Sequence, residues 1–163
     1  MLTPIILPKA VPAKKVPGYK MPEDSDSLVS WDFVAAQMEQ ARHYWLSTTY
    51  ADGRPHAVPV WGIWYEQRFH FEGSMKTAWA RNLVRNPRIV VHLPDGAKVV
   101  ILEGIAHIIG DDEIDSQAWR RLDTTFQSKY QVKQGSPYWY VHPHKVLAWD
   151  GEDLHTMTRW IFD

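Results

Sequence analysis

The chain has 163 residues, with 18 basic and 19 acidic side chains, a net charge of -1 and no cysteine. That length makes one domain with room for a sizeable core, and the balanced charge speaks against a polyanion such as nucleic acid as partner. The absence of thiols removes disulfides, thiolate metal sites, iron–sulfur clusters and cysteine nucleophiles.

Residues 1–27 read as a Pro-rich arm, with five of the eleven prolines at positions 4, 8, 12, 17 and 22. Proline at this spacing prevents a helix and favours extended chain. The arm is either a disordered tail or a strap across the body or a second subunit. It lacks the basic start and unbroken apolar stretch of a signal peptide. No apolar run reaches the roughly 18 residues of a membrane span, so the expected location is the cytoplasm. Glu23–Ser27 is a polar hinge into one domain over residues 28–163.

Ser30 reads as the cap of a helix over Trp31–Arg42, with Val34, Met38 and Ala41 on one face. Tyr44–Tyr50 is a strand, Asp52-Gly53 a tight hairpin turn and Pro55–Tyr65 the return strand. The two prolines of that return strand place it at a sheet edge or bulge. Arg68–Glu72 is a third strand. Ser74–Asn86 reads as a helix with Ala78, Leu83 and Val84 inward, ended by Pro87. Arg88–Leu93 and Lys98–Ile109 are strands about the turn Pro94-Asp95-Gly96, and Gly104 marks a bulge or a close backbone approach. Gly110-Asp111 stops the second of them. A helix follows from Glu113 to Tyr130, with Ile114, Ala118, Leu122 and Phe126 in phase. Tyr138–Val141, Lys145–Trp149 and Thr156–Phe162 close the chain as short strands. Hairpin turns dominate, and no strand–helix–strand repeat occurs. The expected fold is therefore mostly β (α+β): six to seven largely antiparallel strands, curled or closed into a barrel, with three peripheral helices.

The usual nucleotide cradles, nucleophile elbows and zinc-protease strings are absent. His142-Pro143-His144 reads as a polar strand edge rather than a metal site, and Glu103 as a solvated or paired carboxylate. Asp111, Asp112, Glu113 and Asp115 suit a helix N-terminus. Gly73–Pro94 carries Lys76, Arg81, Arg85 and Arg88 and no acid. With Ser74 and Thr77 near a helix start, it is either a phosphate site or a solvated basic face. Upstream, the backbone of Val58 and Val60 beside Pro59 would serve the edge of a planar heteroaromatic ring.

The string ADGRPHAVPVWGIWYEQRFHFEGS (51–74), followed by AWARNLVRNPRIVVHL (78–93) and VVILEG (99–104), resembles the signature of the pyridoxamine 5'-phosphate oxidase-like superfamily. The closing TRWIFD is similar to the ending of its flavin- and deazaflavin-dependent oxidoreductase branch. The resemblance implies an FMN-binding split β-barrel and a homodimer with a cofactor, FMN or coenzyme F-420 (8-hydroxy-5-deazaflavin), at the interface. Carried over by position, Val58, Pro59, Val60 and Trp61 would run along the ring. Ser74, Lys76, Thr77, Arg81 and Asn82 would hold the phosphate end, and Trp139 or Trp160 of the other subunit would cover the ring. Hydride would pass between the cofactor and a small organic substrate, with no catalytic side chain and no metal. A non-catalytic carrier of flavin, haem or another tetrapyrrole on the same barrel is the alternative. One departure stands out. Many members have Lys or Arg two to four residues before the Asn of the RNL string, where this chain has Ala78, Trp79 and Ala80.

Nine tryptophans make the chain unusually aromatic. Trp31, Trp45 and Trp119 fit a core. Trp61, Trp64, Trp79, Trp139, Trp149 and Trp160 are assigned to cleft and interface.

Overall fold

A computed structural model describes residues 4–19, 21–22, 26–109, 116–133 and 135–162. The first three residues of the expected hinge, the stop at Gly110-Asp111, the acids at 111–115 and Ile114 therefore lie outside the described residues. Nine strands and three α-helices occur among the described residues: β1 (Val11–Pro12), α1 (Trp31–Gln40), β2 (Tyr44–Thr49), β3 (Pro55–Val60), β4 (Gly62–Tyr65), β5 (Arg68–Glu72), α2 (Ala78–Arg85), β6 (Arg88–His92), β7 (Lys98–Ile109), α3 (Ser116–Tyr130), β8 (Tyr138–Asp150) and β9 (Thr158–Ile161). All pairings are antiparallel. The sheet runs β1-β9-β8-β7-β6-β2-β3, with the β4–β5 hairpin attached to β8 through β5. It is the mostly antiparallel split-barrel architecture with three helices, but the sheet does not close. None of the described helices is long and apolar enough to cross a membrane.

Local chemistry sets several boundaries. The Ser30 hydroxyl accepts from Phe33 N–H at 3.3 Å and starts α1. Thr77, not Ser74, caps α2 by accepting from Ala80 N–H at 3.3 Å, so this helix begins later than the periodicity suggests. Its inward face is Trp79, Ala80, Asn82 and Leu83, while Val84 is 65% exposed, which corrects the expected face. Gly53 turns the β2–β3 hairpin with φ +86. Tyr50 N–H donates to Arg54 C=O at 2.9 Å and Gly53 N–H to Tyr50 C=O at 3.0 Å, a three-residue loop with glycine in the left-handed position.

Two strands divide differently from the sequence reading. Pro55–Tyr65 breaks at Trp61, because β3 pairs with β2 whereas β4 pairs with β5. Conversely, Tyr138–Asp150 is one strand. Gly104 faces Pro143 and Glu103 faces Lys145, leaving His144 as the extra residue of a bulge. There β8 exchanges β5 for β9 as its second neighbour, and Pro143 is tolerated because a bulge need not receive its missing N–H. Glu103 is paired with Lys145 at 2.6 Å. A Cβ at Gly104 would stand 2.2 Å from the His142 carbonyl oxygen. Gly104→Ala is therefore expected to lower stability by about 2–3 kcal/mol through overpacking against backbone. Urea unfolding measures this, and an unchanged midpoint would contradict it.

The main core lies between α1, α2 and the sheet, with Met38, Leu46, Phe71, Leu83, Leu102 and Trp160 among its members. A smaller core of Ile63, Ile109, Leu122, Phe126, Tyr130 and Tyr138 seats α3. Trp64, Trp79, Trp139 and Trp160 are all buried in the chain's own core, which corrects their assignment to cleft and interface. The arm lies along the body: β1 pairs with β9, Ala13 N–H donates to Met157 C=O at 3.0 Å, and Ala13 and Met21 are buried.

Candidate functional site

β3 is the terminal strand of the sheet path, so one of its edges is open. Its pairing with β2 decides which groups face that opening. Register matches Tyr44 with Val60, Leu46 with Val58 and Thr48 with His56. Hydrogen-bonded and non-bonded pairs alternate in an antiparallel ladder. Counted from the bonded Tyr50–Arg54 pair, the bonded pairs are those at His56, Val58 and Val60. Val58 and Val60 thus spend their backbone groups on β2, and their side chains pack on the main core. This corrects the expectation that they offer backbone to a ring. The open edge belongs to Pro55, Ala57 and Pro59. The prolines have no N–H, so from Pro55 to Pro59 the edge presents three carbonyl acceptors and the single donor of Ala57. The exposed side chains of the same strand are Pro55, Ala57 and Pro59, followed by Trp61, an apolar row. A planar ring that carries an N–H and needs an apolar cover fits this edge. A further β-strand does not, because the prolines cannot donate to it.

Trp61 ends the row. It is 45% exposed and stacks on Tyr130 of α3, with ring centroids 4.8 Å apart and planes 9° apart. Tyr130 holds the joint between β3 and β4. Its hydroxyl accepts from Gly62 N–H at 3.0 Å and lies 2.7 Å from Gly62 C=O and 2.9 Å from Arg42 C=O, donating its one proton within that pair. A Cβ at Gly62 would stand 2.4 Å from the Phe69 ring, so glycine is required where the strand changes partners. Beside this stack, Lys129 donates to the Tyr44 hydroxyl at 2.7 Å. Burial, reinforced by the Arg42 charge, lowers the Lys129 pKa to about 8. Burial also raises both phenols, Tyr44 and Tyr130, above the ordinary tyrosine range.

The residues expected at the phosphate end separate into two groups. Ser74 accepts from Lys76 N–H at 3.2 Å and Thr77 caps the helix, so both hydroxyls serve the turn that opens α2. Arg81 and Asn82 instead line a pocket shared with the β2–β3 turn. Asn82 is buried and donates to the Thr48 hydroxyl at 3.0 Å, tying α2 to β2. Trp139 and Trp160 are each 2% exposed and pack edge to face on Trp79 and Trp31 of the same chain. Neither presents a face to a ring held by another subunit, which corrects their expected role. Among the described residues no group of three or more His, Asp or Glu gathers as metal ligands. Arg54, Tyr130 and Lys129 were not legible as site residues from the sequence. Gly62, an isolated glycine after an aromatic in a strand, was the available signal for a close approach at this joint.

The sequence model of the pyridoxamine 5'-phosphate oxidase family matches residues 30–150. No curated protein matches the chain. Among solved structures, a conserved hypothetical protein of Mycobacterium tuberculosis is similar at 22% identity and TM-score 0.63, covering 79% of this chain and 90% of its own. An F-420 reductase is similar at 18% identity and TM-score 0.54, with 68% and 93% covered. A pyridoxamine 5'-phosphate oxidase-related, FMN-binding protein of Nostoc punctiforme is similar at 13% identity and TM-score 0.51, with 78% and 84% covered. A haem storage protein of Vibrio cholerae and a haem-binding protein of Mycobacterium smegmatis share the fold at 18% identity. At these identities the likeness is one of fold.

Proposed function

The chain belongs to the pyridoxamine 5'-phosphate oxidase family, and from that premise we propose that it is an oxidoreductase using FMN or coenzyme F-420 on a small organic substrate. The observation that carries the reading is the open edge of β3: carbonyl acceptors in a row, one N–H at Ala57, and an apolar cover ending in Trp61. The flavin or deazaflavin supplies the hydride chemistry. The chain supplies the rest. Carbonyl groups of Ala57 and Pro59 accept from the N–H side of the ring. Trp61, braced by Tyr130, limits how the ring tilts and keeps water from one side. Lys129, with its pKa near 8, is placed to hold or release a proton at Nζ around neutral pH.

The apolar row of Ala57, Pro59 and Trp61 is also the surface on which we place the second subunit, so that the ring lies between two copies. Because prolines blunt the edge, the copies meet through side chains and cofactor rather than by continuing the sheet. Light scattering should give twice the 19.0 kDa chain mass, and a monomer at micromolar concentration contradicts this.

Absorbance titration with FMN, F-420 and haemin tests the function. Micromolar binding of one flavin, followed by its reduction and rapid reoxidation by an acceptor, is the expected result. Tight haemin binding without flavin binding overturns the reading in favour of a tetrapyrrole carrier, and failure of both flavins overturns it outright.

A further inference from the structure

The face of the sheet opposite the main core carries a pocket on β2, β6 and β7. The ladder sets its lining. Thr49 pairs with Pro55 and Ser47 with Ala57 on β3. On its other side Ser47 pairs with Val90 of β6, and β6 sets Val90 against Glu103 and Arg88 against Ile105 of β7. Strand alternation puts these side chains on one face, because Leu46, Thr48, Ile89, Val91 and Leu102 between them are buried. The pocket above them has a volume of about 450 Å³, within the usual range of small-molecule sites.

Its walls differ in chemistry. Pro55, Val90 and Ile105 are apolar. The polar groups are the Ser47 and Thr49 hydroxyls and the Arg88 guanidinium, and among the described residues none of the three is committed to a protein partner. Glu103 also borders the space, but it is paired with Lys145 at 2.6 Å. One uncommitted cation therefore stands near two hydroxyls on rigid strands. A guanidinium presents two parallel donors to a carboxylate, and hydroxyls can add to that grip. A dianionic phosphate fits less well, since the Glu103 carboxylate repels two charges more strongly than one.

We propose that this pocket binds the carboxylate of a small organic acid with an apolar body, and that this acid is the substrate. The second half of the statement rests on the oxidoreductase reading above. Position supports it. Pro55 lines the pocket, and Ala57, Pro59 and Trp61 continue the same exposed row along β3. β6 lies two strand spacings from β3, roughly 10 Å, which the arginine side chain and a single ring cover together. An acid held at Arg88 extends over Ala57 toward the ring at the β3 edge, so its charged end and its reacting end are positioned separately.

Benzoate and the uncharged benzamide are the probes, applied to the full-length wild type and to Arg88→Gln. Arg88 is exposed, so the variant should fold, and a thermal melt checks that it does. In NMR titration of the flavin-free protein, benzoate should move the amide signals of Ser47, Thr49, Arg88 and Ile105, and benzamide should leave them in place. Arg88→Gln should bind benzoate about tenfold more weakly, the loss of one charge-assisted pair. Benzoate shifts absent from these residues, equal shifts with benzamide, or a variant affinity within about twofold of wild type overturns the site. Light scattering should give both proteins the same mass. A lower mass for the variant makes Arg88 an interface residue and also overturns the site. In the flavin-loaded wild type, benzoate should shift the flavin absorbance band, and the variant at the same concentration should show no shift. A band that stays in place while the amide signals move upholds the carboxylate site and overturns its role in holding substrate. If no flavin binds the wild type, that role falls with the oxidoreductase reading, and the amide signals alone decide the carboxylate site.

Discussion

Tyr130→Ala is expected to destabilise the protein by about 4–5 kcal/mol, a third or more of a typical folding free energy. The ring is buried among Phe126, Trp61 and the smaller core, and its removal leaves a cavity. The hydroxyl adds a separate loss. In Tyr130→Phe the ring stays, but Gly62 N–H loses its partner in a buried place, which costs about 1–3 kcal/mol. Urea unfolding of both variants divides the total between ring and hydroxyl. The binding readout is more telling. Tyr130→Phe leaves the stack on Trp61 but frees the joint at Gly62, so flavin affinity should fall about tenfold, by roughly one lost hydrogen bond's worth of positioning. Equal stability of Tyr130→Phe and wild type would show that the three close contacts of the hydroxyl contribute nothing net. Unchanged flavin affinity would remove Tyr130 from the site and leave it a core residue.

The same joint shows why the site was only partly legible in the sequence. Features fixed by nearby atoms could be read directly. Asp52-Gly53 needs a positive φ and Ser30 needs a neighbour three residues on, whereas Gly104 announces a close approach without naming the His142 carbonyl of β8 that makes it. Features fixed by distant partners could not. Between Pro55 and Tyr65 only Gly62 hints at a close approach, and it does not say that the chain leaves β2 for β5 at Trp61, because the cause is Phe69 and Tyr130 packing from elsewhere. The sidedness of the ring strand is a matter of ladder phase, set by the Tyr50–Arg54 pair. A shift of one residue there would have put Val58 and Val60 on the open edge. The late tryptophans failed for a similar reason. Strand periodicity leaves open which face meets the core, and Trp139 and Trp160 both face inward. The basic segment was read as a local cluster, yet its pocket is completed by Arg54, some thirty residues upstream.

Acid should weaken the fold chiefly through His70. This residue of β5 is 1% exposed, with its imidazole against Tyr138 at 5.6 Å and Tyr140 at 6.2 Å. Nε2 lies 3.1 Å from Tyr65 C=O and so carries the proton of the neutral ring, while Nδ1 has no hydrogen-bond partner among the described residues. Burial pushes the imidazole down to about 3, the Tyr65 carbonyl opposes this, and the Arg68 charge adds to it. The sign follows from the two end states. Above about pH 6.5 the ring is neutral folded and unfolded, and stability owes nothing to pH through it. Below that the unfolded chain takes a proton which the native ring refuses until about pH 3. Stability therefore falls as pH drops through this window, by about 1.4 kcal/mol per unit. Between pH 6.5 and 4.5 the loss is roughly 2–3 kcal/mol. His107, also lowered by burial, acts in the same direction, and Glu72, raised by burial, acts in the opposite one. A His70→Phe variant keeps the stacked ring and removes the titration, so subtracting its urea-derived stability from that of the wild type at each pH cancels both. The difference curve should be flat above pH 6.5 and fall steadily below it. Parallel curves down to pH 4.5 would mean that native His70 takes up its proton as readily as the unfolded chain does, with Nδ1 open to water in solution.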